Sequence, residues 1–345
     1  YTGEDTLSLH DALPILPYIQ TTSGPVTLTG YYGTGTPYGI LATSTTAGNF
    51  IIAGGDVLIR SDRSISFTST GITYYGSTSP NVTFQADMNS ATPTYGSVLI
   101  STGANISTNG GYIHIGGGTD PFGNNTGAVG HSGVASGVSI VSSALNAGGG
   151  NIWIKGTGNA GTSSAFGVSL TGTAQLTTTG AGTITIHGTG GNGTSGNYGV
   201  NISGLNTLFL TTQNGAIDIT GIGGGTTTTN YGISIAGTAT TPYLQTTTGT
   251  ITLTGTQSGT TPYGIFSTST TAGDIIIAGG DVLIRSNRSI SFTRSRITYY
   301  GSASPNVLFQ ADMNSVTPTN GGVALLTGSN VTTNGGYIYI GGGTD

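Results

Sequence analysis

The sequence predicts an all-β fold: a right-handed parallel β-helix (β-solenoid) with about three strands per coil and a coil about every 32 residues. Three observations carry that prediction. The stretches AFGVSL, NYGVNI, NYGISI and TPYGIF stack with their glycines at Gly167, Gly199, Gly232 and Gly264, at intervals of 32, 33 and 32 residues, and a degenerate member, ASGVSI with Gly137, stands 30 earlier. The segments NIWIKG (151–156), TITIHG (183–188), AIDITG (216–221) and TITLTG (250–255) keep one alternate set aliphatic and let the other vary. Residues 16–120 also align without a gap to 241–345, with about 75 of the 105 pairs identical.

Within the unit from Asn197, three strand-like segments follow one another: YGVNIS, TLFLTTQ and GAIDITG, separated by GLN and NG and followed by IGGGTTTTN. Alternation of apolar and polar residues marks a strand buried on one face, and the punctuating Gly and Asn are expected to supply the positive φ of sharp turns. The constant set, Ile152/Ile154, Ile184/Ile186, Ile217/Ile219 and Ile251/Leu253, is therefore expected to face inward. The set without common chemistry, Trp153/Lys155, Thr185/His187, Asp218/Thr220 and Thr252/Thr254, faces outward. Stacked parallel strands about 4.8 Å apart would make ten or eleven such coils a rod on the order of 50 Å long. Each ladder aliphatic contributes about 1.5–3 kcal/mol, and one coil alone has no core. Right-handedness follows from the strong preference of parallel crossovers. A β-sandwich array is the alternative, but its hairpins give no reason for a constant register every 32 residues.

Residues 16–345 read as one continuous solenoid, with 16–120 and 241–345 as copies and 121–240 as intervening coils. The second copy breaks off in mid-pattern, which predicts a fragment of a longer array, with open strand edges prone to end-to-end self-association. Residues 1–15 match nothing in the repeat. Thr6–Ile15, TLSLHDALPI, back-translates to ACT CTT TCC CTA CAC GAC GCT CTT CCG ATC, which resembles a sequencing adapter, so residues 1–15 are expected to be non-native. A signal peptide there would need a basic start, a longer apolar run and a small-residue cleavage site.

Composition narrows the function classes. Of 345 residues 63 are Gly and 6% are charged, yet 35% are hydrophobic, too many for a flexible linker. The net charge is −5, and the basic residues are Lys155 plus two small clusters, Arg60/Arg63 and Arg285/Arg288/Arg294/Arg296, so no basic stripe suits nucleic acid. There is no cysteine, hence no disulfide framework, and no apolar run approaches the roughly 18 residues of a membrane span.

Candidate chemistry is thin. GTGGNG (188–193) has the glycine spacing of a dinucleotide loop but no helix pattern after it, so it reads as a coil-connecting loop. GGGTD (116–120 and 341–345) lacks the nine-residue calcium period, and one Asp cannot cage Ca²⁺. A carbohydrate-active β-helix enzyme would need clustered acids, whereas here they are sparse and recur with the array, as Asp56/Asp281 and Asp87/Asp312 do. Recurrence suits turn or surface residues. His114, His131 and His187 fall in different units, and the copy of His114 is Tyr339, so they read as outward surface residues. Asp56, Arg60 and Arg63 are expected to form a modest surface ion pair. An ice-binding face needs aligned outward threonines, and Trp153/Lys155, Thr185/His187 and Asp218/Thr220 break that array. No catalytic, cofactor or metal site is expected.

The run NVTFQADMNSATPTYGSVLISTGANISTNGGYIHIGGG (81–118), followed by units such as YGISIAGTATTPYLQTTTGTITLTGT (231–256), resembles the repeat region of filamentous-haemagglutinin-like bacterial surface proteins, over nearly all of 16–345. The resemblance implies a right-handed β-helical shaft exported through a secretion partner in the outer membrane of a Gram-negative cell. It also implies an extracellular or cell-surface location and adhesion to surface glycans or proteins. It assigns no individual binding residue. Trp153 and the Tyr-rich strand starts are the candidates on the variable face, and a passive stalk is the competing expectation.

Overall fold

A computed structural model describes residues 19–31, 37–89, 96–120, 127–161, 163–204, 209–226, 229–238, 242–257, 259–314 and 321–343. The segment 1–15 lies outside the described residues. Within them the chain is all-β, with no helix, and every pairing between named strands is parallel. The strands form a 17-stranded and a 12-stranded sheet, an arrangement consistent with a β-solenoid.

The intervening units follow the expected three-segment pattern. After Ile152–Thr157 in the 12-stranded sheet, the chain passes to Val168–Gly172 and Gln175–Thr178 in the 17-stranded sheet and returns as Ile184–Thr189. That strand lies in register on the one it left, Ile152 opposite Ile184 and Ile154 opposite Ile186. The next strands repeat the placement, Ile184 opposite Ile217 and Ile217 opposite Ile251. Ile152, Ile154, Ile184, Ile186, Ile217, Ile219, Ile251 and Leu253 are all fully buried, whereas Trp153, Thr185, Asp218 and Thr252 are only partly covered. The inward and outward sets are those the alternation predicts, and the buried apolar residues form one core cluster.

Inside the two copies the expectation needs correction. Tyr38–Ala53 and Tyr263–Ala278 are single 16-residue strands where the intervening units have two short ones. Each pairs along its length with an 11-residue strand, Ser64–Tyr74 or Ser289–Tyr299. The corner survives as a bulge: Thr43 and Gly48 face Thr68 and Thr70, with the single residue Ser69, at φ 54°, opposite the intervening Ser-Thr-Thr-Ala. Paired positions are consequently not evenly spaced. Val57 lies opposite Val82, and Ile113 opposite Ile152.

The positive φ expected of the separator glycines is not found at Gly204 or Gly215, and the glycines at the repeat positions have a cause of their own. Gly199 and Gly232 are absent from the positive-φ residues; instead, a Cβ on Gly199 would overlap the backbone nitrogen of Ile222, and one on Gly232 would crowd the backbone of Thr256. They mark close approach of backbones at the corner between sheets, where a methyl group has no room.

A second corner carries a device that the alternation conceals. Thr108, Thr178, Thr212 and Thr246 are buried polar residues, and each hydroxyl donates to a glycine carbonyl three or four residues on, Gly111, Gly182, Gly215 and Gly249, at 2.5–2.6 Å. A buried hydroxyl is tolerated only with such a partner. The same corner in the second copy pairs Thr333 with Gly336.

Candidate functional site

The residues singled out by sequence fall into two groups: those whose polar atoms or ring faces the fold itself engages, and one cluster where they remain directed outward.

Asp56 belongs to the first group. Its carboxylate accepts from the backbone nitrogen and Nδ2 of Asn81, and Asn81 Oδ1 in turn accepts from the Tyr112 nitrogen. Asp281, Asn306 and Tyr337 repeat this chain in the second copy. The expected ion pair with Arg60 or Arg63 is therefore corrected: Asp56 joins successive turns, and Arg60 Nε donates to Thr29 Oγ1 instead. The ion pair among the described residues is Asp274–Arg296 at 3.0 Å, on an exposed part of the second copy. Asp87 and Asp312 hold left-handed turn conformations, φ 49° and 50°. In GTGGNG, the Gly190 and Gly191 amides donate to the Ile222 and Ala165 carbonyls, so this loop's donors serve the neighbouring strands rather than a phosphate.

The aromatic strand starts also turn upon themselves. Phe166, Tyr198, Tyr231 and Phe266 form a stack with centroids 5.3, 5.1 and 4.7 Å apart and planes within 24° of parallel. Phe266 occupies the register row of Ser169, Asn201 and Ser234, all three buried although they alternate outward. Stacked faces are unavailable to a ligand ring. Burial also raises the Tyr198 and Tyr231 hydroxyls above the usual phenol range.

The second group lies on the outer face of the 12-stranded sheet. Register places Trp153 between His114 and Thr185, Lys155 beside His187, and Asp218 on the far side of Thr185. The His114 ring meets Trp153 edge to face at 4.1 Å and 88°, and His187 lies tilted to it at 6.3 Å and 39°. Burial holds His187 below the ordinary imidazole value, against the pull of Asp218 and with the support of Lys155. His114, 6% exposed, is driven down to about 4 by burial, with Asp120 opposing. Both imidazoles are neutral at pH 7. Burial also lowers the Lys155 ammonium. His131, also buried, stands apart beside Tyr38, its Nδ1 accepting from the Gly133 nitrogen, so the expected surface placement is corrected for His114 and His131.

The aligned segments already set Trp153/Lys155, Thr185/His187 and Asp218/Thr220 on one outward face and singled out Trp153, but Lys155, His187 and Asp218 were read as variation without common chemistry. One signal was available: within 121–240, Lys155 and Asp218 are the only charged residues. Among the described residues no group of three or more metal-ligating side chains converges, and no helix is long and apolar enough to cross a membrane. No protein-family model, curated protein or solved structure matches the chain.

Proposed function

We propose that the chain is the repeat region of an exported bacterial surface protein, a right-handed β-helical shaft with a coil about every 32 residues that contributes to adhesion by contact with surface glycans or proteins. The observation that carries this reading is one uninterrupted apolar core, running through both copies and the intervening units beneath an outer surface whose residues vary. Such a stack sets length and stiffness independently of surface chemistry. The similarity of 81–118 and 231–256 to filamentous-haemagglutinin-like repeats supports export and adhesion.

A direct test coats beads with the chain and measures their attachment to epithelial and bacterial cells, before and after glycosidase treatment of the cells. Attachment that falls on treatment is the expected result. Beads that attach no better than uncoated ones would reduce the chain to a passive stalk. That competing reading draws on the aromatic stack, whose faces are closed to ligands.

A further inference from the structure

We propose that the outer patch formed by Trp153, Lys155, Thr185, His187 and Asp218 is a binding subsite for an uncharged pyranose sugar; this rests on the adhesive reading above and assigns it a place and a ligand class.

Four observations converge. The chain has one tryptophan and one lysine, and strand register sets both on the same short stretch of one sheet face. Lys155 and Asp218 are the only charged residues of 121–240, and both belong to this patch. Among the described residues, no hydrogen bond within the protein engages the side chains of Lys155, His187 or Asp218, whereas Asp56, Asp281 and Asp274 are each engaged. The patch is rigid in origin, since its side chains stand on three adjacent strands whose inward residues are fully buried.

The chemistry of that set selects the ligand. An indole offers an apolar surface to the C–H face of a sugar ring, while a carboxylate, an ammonium, an imidazole and a hydroxyl beside it accept from and donate to ring hydroxyls. From the strand of Trp153 to that of Asp218 is two strand spacings, about 10 Å, which suits a single ring or a disaccharide. Charge excludes the acidic sugars. Lys155 and Asp218 balance, and His187 between them is neutral at pH 7, so the patch has no excess cation to hold a carboxylate or sulfate.

Because Trp153 is the single tryptophan among 17 tyrosines, emission excited at wavelengths beyond the tyrosine band reports on this patch alone. Titration with methyl β-galactoside and methyl β-glucoside should give a saturable emission change with at least one. Its midpoint should move less than about twofold between 0.05 and 0.5 M salt, since no net charge is bound. Asp218→Asn and Lys155→Met should each weaken it about tenfold, with unchanged circular dichroism excluding loss of fold. No saturable change with any neutral pyranoside, or tighter and salt-sensitive binding of glucuronate, would overturn the assignment. Bead attachment without a fluorescence response overturns the subsite and leaves the adhesive reading intact. A fluorescence response without bead attachment does the reverse.

Discussion

The two copies share most of their sequence and the same bulged long strands, Tyr38–Ala53 and Tyr263–Ala278, yet their equivalent residues live in different surroundings. Ile113 and Ile115 are fully buried, while Ile338 and Ile340, at the same repeat positions, are 45% and 57% exposed. Backbone pairing on the preceding side is the same: Val82 faces Ile113 as Val307 faces Ile338. The difference is that Ile152–Thr157 lies on the first strand, and no described strand lies on the second. Burial in this architecture is conferred by the next turn of chain. An alternating pattern therefore states which residues can be buried, and neighbours decide whether they are.

The comparison also isolates substitutions that the fold accommodates in pairs. Asn49 faces Gly71 in the first copy, and in the second the same register positions hold Asp274 and Arg296, which form the exposed ion pair. His114, covered by Trp153, is replaced by Tyr339, which is 54% exposed.

The largest expected effect breaks the comparison outright. Ile115→Asp should cost about 4 kcal/mol or more, because it leaves a carboxylate without a partner in the core; in a polypeptide of residues 1–345, Ile340→Asp should cost less than about 1 kcal/mol, since no described strand covers Ile340 there. Urea titration of the two variants checks both. Similar losses would mean that the second copy's strand is covered in solution.

An intermediate effect depends on pH. The folded chain holds His114 near 4, against about 6.5 when unfolded, so the unfolded state takes the proton first as pH falls. This contribution is whole above about pH 6.5, declines down to about pH 4 and is constant below. His114→Tyr, which copies the residue of the second repeat, should make the thermal midpoint fall less steeply across that window, with His131 and His187, also lowered by burial, supplying the remainder. A midpoint that falls as steeply as in the unaltered chain would assign the pH dependence elsewhere.

The smallest effect concerns the ion pair. Arg296→Gln should change stability by less than about 0.5 kcal/mol, and the difference should disappear in high salt. A loss above about 1 kcal/mol in calorimetry would show that the pair braces its corner.

Much of the fold was legible because a strand buried on one face writes its register into alternate residues. Ile217 inward and Asp218 outward could be read directly from AIDITG. The merged 16-residue strands were not legible, since STTAG between two strand segments looks like a loop and only pairing with Ser64–Tyr74 shows a bulged corner. The repeat glycines were found without their cause, because composition cannot distinguish a positive φ from a backbone approach too close for a methyl group. The shared outward face of the candidate subsite was readable from the aligned segments. The His114 ring against Trp153 was not, because His114 stands outside those segments, 39 residues before Trp153 and one strand spacing away.

By itself the sequence determined an all-β chain, which residues are able to form its core and where its units recur, since these depend on local alternation and on the conformational limits of Gly, Asn and Thr. Only the tertiary structure decided which strands lie side by side, which aromatic faces are closed by stacking, and how the rings of His114, Trp153 and His187 meet on the outer surface. Those outcomes depend on register between distant turns of the chain, which side-chain periodicity constrains only to odd or even.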